Sequence, residues 1–498
     1  MGRWFSVPWY PILFSAYPVL ALMAINAGQI KLEAGWRPLV ICILLSSVLF
    51  AILRRLLRDW NRAAFLSVLW MALFFSYGHI HILLAEKLKD FDFKPLVQSA
   101  WLLLFILAVL WARRSSPSPA ALNVIALGLA VISLVQINSG LGKGGAHSLG
   151  AKNAPVQALV KPENSPDVYY FILDMYTRAD LLKRSYGYDN NGFIGELQRR
   201  GFYVASCSQS NYSRTELSLA SSLNMSFIQG LDPQFDDPKS TRRSRLWDSL
   251  KHSAVRYNLE QMGYRTISYA NGYAWSELDD ADVFLTPPPF SSGMTEFETL
   301  FMQTTLARVL QDLGWLDLDQ IIGQNYRDRH TLVFDSLDDV ANIPDPKFVY
   351  VHLILPHPPF VYGPDGVPTD PRDFWNEQKR YPPDKFKVGY TNQTTFLNRK
   401  MLEAVDTIIA ESKNPPVIIL QGDHGHWLQH SPQHFFILNA YYLPGHAGEL
   451  YPTISPVNTF RLIFNAYFGG KYDMLADVTY FSPVPKLYEF SMVPNRCQ

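Results

Sequence analysis

Three cysteines in 498 residues, at 42, 207 and 497, leave no cluster from which to build a thiolate metal site or a disulfide scaffold. Cys42 lies in an apolar stretch. Cys207 and Cys497 are either a pair made in an oxidising compartment or two unrelated thiols. Net charge is missing too, because 44 Lys and Arg balance 44 Asp and Glu. Without an overall basic field, and without a Lys/Arg-dense patch in the C-terminal part, no nucleic-acid partner is expected. The first 140 residues carry little charge of either sign, and most acidic residues follow position 160. A chain of this length and asymmetry predicts at least two units.

What fills the poorly charged part is apolar sequence, in five stretches at about 9–27, 37–53, 63–84, 95–112 and 119–137. Each has roughly the 17–25 residues needed to cross ~30 Å of hydrocarbon. Arg54, Arg55, Arg58 and Arg62 lie between the second and third stretches, Arg113 and Arg114 between the fourth and fifth, and Arg3 before the first. The alternate loops, Gln29 to Arg37 and Glu86 to Lys94, mix acids with bases. The positive-inside rule then places the N-terminus in the cytoplasm, and five crossings leave the remainder outside. Trp4, Trp9, Tyr10 and Trp60 suit the interfaces. His79 and His81, inside the third stretch, suit either a headgroup path or interhelical hydrogen bonding. The expected domains are a membrane domain over 1–140 with five transmembrane helices, a Gly/Pro/Ser-containing linker over 141–166, and an extracytoplasmic domain over 167–498.

In the last of these, apolar strand patterns alternate with helical ones. Strands are expected near 168–174, 202–205, 265–270, 347–354, 416–421 and 435–442. Helices are expected near 189–200, 216–224, 246–262, 299–313, 393–412 and 456–468. That alternation predicts an α/β domain, a mostly parallel sheet flanked by helices, whose chemistry gathers at the carboxyl ends of the strands. Asp423, His424 and Gly425 stand directly behind the apolar run Pro416 to Leu420. A carboxylate and an imidazole side by side at a strand end make sense as two ligands of one metal ion. Val168 to Leu173 is a second such run, and it ends in Asp174. His357 follows Pro356 on a turn beyond a third strand, placed to donate to an anionic oxygen or to protonate a leaving group. His352 reads as a core histidine of that strand. His426, His430 and His434 follow the Asp-His pair, and His426 or His434 are candidates for a supporting role. Asn211 to Met225 is a polar loop entering a Ser-rich helix. Its hydroxyls stand at 213, 215, 218, 221 and 222, and one near the helix N-terminus is either an activated nucleophile or a plain Ser or Thr cap.

Together, Asp174, Thr215 some forty residues on, the Pro356-His357-Pro358 turn and the Asp423-His424-Gly425 motif resemble the sulfatase-like branch of the alkaline phosphatase superfamily. Membrane-anchored lipoteichoic-acid synthases and phosphoethanolamine transferases belong to that branch. The resemblance implies an alkaline phosphatase-like head and one divalent metal ion, zinc or manganese, on Asp174, Asp423, His424 and Thr215. It also implies Thr215 as nucleophile through a phospho-threonine, and His357 at the substrate head group. It further implies a multi-pass protein of the bacterial inner membrane that acts on a phospholipid or surface-glycan substrate. Where the transferases often have Glu, this chain has Asp174. A sulfatase would need Cys or Ser in a Cys/Ser-x-Pro-x-Arg setting, and the sequence from Cys207 to Asn211 has neither the Pro nor the Arg. The expected function is therefore transfer of a phospho head group from a lipid to a surface glycan or lipid, with a sulfatase-like hydrolase or phosphodiesterase as the alternative.

Overall fold

The computed structural model describes residues 7–27, 30–88, 91–115, 117–140, 157–288, 294–344, 346–375, 380–426, 432–483 and 486–495. Most of the expected linker, 141–156, lies outside them, as do His430 and Cys497. The chain divides into two compact units. Unit 1 joins residues 1–143 to 290–325 and 377–380, and unit 2 holds the rest.

Among its described residues, unit 1 contains five apolar helices: α1 (Tyr10–Ile25), α2 (Trp36–Leu57), α3 (Trp60–Lys87), α4 (Lys94–Arg114) and α5 (Pro119–Gly140). Four of them, α2 to α5, are long and apolar enough to cross a membrane, whereas α1 has only 16 residues. The sequence reading expected a fifth full-length span there. Start signals explain the boundaries. Asp59 caps α3 by accepting from the Arg62 backbone N–H at 2.9 Å, and a proline opens α4. Trp9, at the N-cap of α1, supplies no cap of its own. Asn123 of α5 supplies one instead. Its Oδ1 accepts from the N–H groups of Trp9 and Tyr10, both at 2.9 Å, and its Nδ2 donates to Val7 O at 2.9 Å. A polar residue in an apolar helix is thereby satisfied.

Residues 294–325 come from the sequence of the expected outer domain and pack within unit 1. The single helix anticipated over 299–313 is two, Glu296–Thr304 and Arg308–Asp312, separated by three residues. Phe297 and Phe301 share an apolar cluster with Val19, Met23, Cys42 and Ile137. Leu306 and Val309 pack on Tyr77, Phe93 and Val97.

Unit 2 is built on a seven-stranded sheet. Its strands are β1 (Val168–Leu173), β2 (Tyr203–Val204), β3 (Arg265–Tyr269), β4 (Val283–Leu285), β5 (Lys347–Leu353), β6 (Val417–Gln421) and β7 (Asn439–Tyr442). The spatial order is β2-β7-β6-β1-β5-β3-β4. Strands β6, β1, β5, β3 and β4 run parallel, and β7 pairs antiparallel with both β6 and β2. This is the mostly parallel α/β domain expected. Central β1 is buried at every residue, as its unbroken apolar run requires when helices cover both faces. Period-two alternation divides the core. Tyr169, Phe171 and Leu173 face the cluster that includes Tyr390, Leu397, Met401 and Val405 of α7 (Pro383–Glu411). Tyr170 and Ile172 face Leu217, Leu219 and Leu223 of α6 (Thr215–Asn224) and Phe460 and Phe464 of α8 (Pro456–Phe468). A small antiparallel pair, Thr479–Phe481 with Ser491–Val493, completes the unit.

Candidate metal centre

On the α6 face, three adjacent strands bring polar residues to the same carboxyl edge. Continuing the alternation from Tyr170 and Ile172 gives Asp174. From Tyr350 it gives His352, and from Ile419 and Gln421 it gives Asp423. Ligand-type atoms of Asp174, His352 and Asp423 lie within 4.8 Å of one another, and all three residues are buried. His424 joins them. Its Nε2 is 3.7 Å from Asp174 Oδ1 and 3.5 Å from Asp423 Oδ2, while His352 Nε2 is 3.4 Å from Asp174 Oδ2.

The surroundings aim these atoms. Met175, with a left-handed φ of 66°, turns its backbone N–H onto Asp423 Oδ1 at 2.9 Å. Among the described residues the other oxygen, Oδ2, is buried without a hydrogen-bond partner, as is Asp174 Oδ1. His424 Nδ1 sits 2.8 Å from Gly425 O, so Nδ1 carries the proton and Nε2 offers its lone pair to the cluster. His352 Nδ1 lies 3.3 Å from the Asn271 side-chain amide. Gly422 is needed just before Asp423, because a Cβ there would meet Tyr176 O at 2.4 Å. Burial pushes the Asp174 carboxyl up, but its electrostatic and hydrogen-bonding interactions with His357, His352 and His424 outweigh that and hold the group below the usual carboxylate range. Burial pulls the His424 imidazole down, and Asp423 and Asp174 more than reverse that.

Two orphaned carboxylate oxygens and two imidazole nitrogens, in a buried pocket of opposite charges, fit a divalent cation. An ion with bonds of about 2.0–2.1 Å to tetrahedral ligands separates them by roughly 3.4 Å, close to the spacings observed. Mixed Asp/His donors suit zinc and manganese alike.

Of the residues singled out in the sequence, Asp174, Asp423 and His424 come together. His357 joins through its backbone N–H, 3.2 Å from Asp174 O, with its half-buried ring held at Nδ1 2.5 Å from Pro358 O. Thr215 is the first residue of α6 and is half-buried. Contacts along α6 give its direction. Ser222 Oγ lies 3.0 Å from the Tyr170 hydroxyl and donates to Pro456 O, at the start of α8, and Met225 O accepts from Arg461 further along that helix. Helix α6 therefore runs alongside α8, and α8 runs opposite to β1, because Phe460 packs on Tyr170 while Phe468, two turns on, packs on Tyr264, whose hydroxyl donates to Pro166 O just before β1. Thr215 lies two turns before Ser222, about 10 Å, toward the edge where Asp174 lies four residues, about 13 Å, beyond Tyr170.

His352 is the residue that sequence reasoning assigned to the core and the structure brings to the cluster. The signal was its parity, since residues 350 and 352 share the face of the sheet on which Asp174 lies. His426 is buried edge-on to Tyr186, and burial, with His434 nearby, pulls it down to about 4. Phe360 and Tyr362, just beyond His357, belong to the core cluster on the opposite face of the sheet.

No family model and no curated protein matches the chain. Solved structures do. A zinc complex of the C-terminal periplasmic domain of EcEptC from Escherichia coli is similar over 67% of this chain and 93% of its own, at 13% identity and TM-score 0.41. The integral membrane lipooligosaccharide phosphoethanolamine transferase A (EptA) from Neisseria meningitidis is similar over 93% of this chain and 96% of its own, at 14% identity and TM-score 0.38. The phosphonate monoester hydrolase of Agrobacterium radiobacter is similar over 64% and 80%, at 12% identity and TM-score 0.35. At these identities, chemistry has to come from Asp174, Asp423, His424 and their neighbours in this chain.

Proposed function

We propose that this chain is a membrane-anchored, metal-dependent transferase. It moves a phospho head group, of phosphoethanolamine or phosphoglycerol type, from a lipid donor to a hydroxyl of a cell-surface glycan or lipid. The observation that carries the reading is the convergence of two orphaned carboxylates and two imidazoles at the strand edge toward which α6 points its N-terminus. In this reading Asp174, Asp423 and His424 hold one zinc or manganese ion together with the Thr215 hydroxyl. When bound, the ion supplies a lowered hydroxyl pKa and a positive charge against the transferring phosphoryl group.

The chain's own residues do the rest. Thr215 Oγ1 attacks phosphorus in line, the bond from phosphorus to the lipid oxygen breaks, and a phospho-threonine remains. Backbone N–H groups at the start of α6 face the phosphoryl oxygens. His357 gives a proton to the departing lipid oxygen and is reprotonated by the proton that leaves Thr215, so the net proton transfer is from Thr215 to the lipid alcohol. An acceptor hydroxyl then attacks the same phosphorus, Thr215 leaves, and the acceptor's proton restores it. In this reading the 16-residue α1 crosses together with α2 to α5, and these helices, the Arg-rich alternate loops and a disulfide-bonded Cys207 support a bacterial inner-membrane protein with a cytoplasmic N-terminus and unit 2 in an oxidising outer compartment.

Intact-mass measurement of the purified protein after incubation with mixed phospholipids tests the reading. An added phosphoethanolamine or phosphoglycerol mass, absent in Thr215→Ala, supports it. Free head group with no acceptor product would replace transfer by hydrolysis, and an adduct that survives in Thr215→Ala would remove Thr215 as nucleophile.

A further inference from the structure

Residues 296–312 of unit 1 have a form that their place in the sequence does not explain. Leu306, between the two short helices, donates its backbone N–H to Phe74 O of α3 at 2.7 Å. Phe74 lies fourteen residues along α3 from Trp60, or about 21 Å, well inside a ~30 Å hydrocarbon layer that starts near Trp60. Unpaired backbone at that depth is costly, and irregular chain survives there only where protein satisfies it. Here it is satisfied. Thr305 N donates to Met302 O, Ala307 N to Thr305 Oγ1 and Arg308 N to Thr305 O, while the Thr304 and Thr305 hydroxyls bond back to Phe301 O and Met302 O.

Both ends carry ion pairs at one end of the helix bundle. Glu298, locked in a capping box with Thr295, takes a two-bond contact from Arg37 at the start of α2, at 2.5 and 2.6 Å. Asp312 lies 3.7 Å from His81 and 3.8 Å from Lys94 at the start of α4. The depths agree. Six residues separate Leu306 from Asp312 along one limb, and seven separate Phe74 from His81 along α3. Gly78 makes the approach possible, since a Cβ there would stand 2.3 Å from Gln303 O. On the outside of the second limb and just beyond it, Leu310, Leu313 and Trp315 remain 36%, 54% and 78% exposed.

We infer that residues 296–312 are a re-entrant hairpin that dips into the bilayer from the side of the α2 and α4 starts, with Leu310 and Leu313 against lipid acyl chains and Trp315 at the headgroup level. The occupant of this apolar face is the bilayer, because the face is continuous with helices whose own exposed residues are Leu, Ile and Val, and tryptophan favours the interface. Such an element lets the outer domain's chain fix the depth of unit 1 in the membrane. The inference rests on the membrane reading of unit 1 and is independent of transferase chemistry.

The test uses the full-length protein in lipid nanodiscs, with an environment-sensitive fluorophore on Leu310→Cys or Leu313→Cys and on Leu44→Cys of α2 as reference, subtracting label on the parent chain. The hairpin predicts loss of emission with acyl-chain nitroxide lipids at 310 and 313 as large as at 44, and little loss with iodide. Iodide quenching at 310 and 313, with 44 quenched only by lipid nitroxide, overturns the hairpin alone. A reference at 44 that lipid nitroxide leaves bright overturns the membrane reading beneath it. Gly78→Leu should unseat the hairpin and transfer quenching at 310 from lipid to iodide while 44 stays unchanged; unchanged quenching at 310 would count against the seat.

Discussion

Asp423 shows how little freedom the candidate site leaves a side chain. One of its oxygens accepts the Met175 N–H and the other, among the described residues, has no hydrogen-bond partner and lies 3.5 Å from His424 Nε2, so a neutral amide cannot replace it without pointing donors at a cation. Asp423→Asn should therefore strip most of the metal from the purified protein, read as the metal-to-protein ratio by mass spectrometry. His352→Gln makes a finer test. If His352 supports Asp174 rather than completing the ligand set, affinity should fall only about 10–100-fold. His330 is a residue-scale case away from the site. Burial, with Arg329 next to it, pulls its imidazole down to about 3, so it is neutral in the fold. Its unfolded value is higher, so its contribution is fully present above pH 6.5 and is lost as pH falls toward 3. Between pH 7 and 5 this amounts to about 2 kcal/mol. Chemical unfolding of the detergent-solubilised protein at both pH values should show a smaller loss in His330→Phe by about that amount.

Among elements, legibility followed burial and length. β1, β5 and β6 were readable because a fully buried parallel strand is an unbroken apolar run. β4, three half-buried residues at the edge, carries no such run, and the helix Leu318–Asp335 carries charge through its middle; neither was anticipated. The antiparallel direction of β7 is not written in its residues, since Asn439 to Tyr442 would serve a strand of either sense. The hydroxyl-rich stretch before Met225 was legible as a helix, but its direction relative to β1 depends on Ser222 and Met225 meeting successive turns of α8, which itself runs back along β1. Helix α1 gives this scale its prediction. Its first turn is capped from α5, so Asn123→Leu leaves the Trp9 and Tyr10 donors without their acceptor. A cost of about 2 kcal/mol follows, read as an earlier midpoint in detergent unfolding, while Asn123→Asp should retain most of the cap.

For the whole molecule, the division into units does not follow the chain. Residues 294–325 were expected within the outer domain, yet they pack in unit 1, and Phe297, Phe301, Leu306 and Val309 find their apolar neighbours there. A fragment beginning at 157 would expose these side chains together with the already exposed Leu310, Leu313 and Trp315. It should self-associate in light scattering, and deleting 296–315 with a short Gly/Ser bridge should restore a monomer. A wild-type fragment that stays monomeric would show that the segment hides its apolar side chains without α1 to α5.

What the sequence determined by itself were the features that depend on composition and local period: apolar helices, a parallel α/β core, and acids and histidines at strand ends. Those are properties of neighbours along the chain. The tertiary structure decided which strand ends are adjacent, and with that the entry of His352 beside Asp174. It also decided which way α6 runs, and that a segment from the second half of the chain packs in unit 1. Each of these depends on pairings between residues tens to hundreds of positions apart, and the local pattern of hydrophobicity carries no record of them.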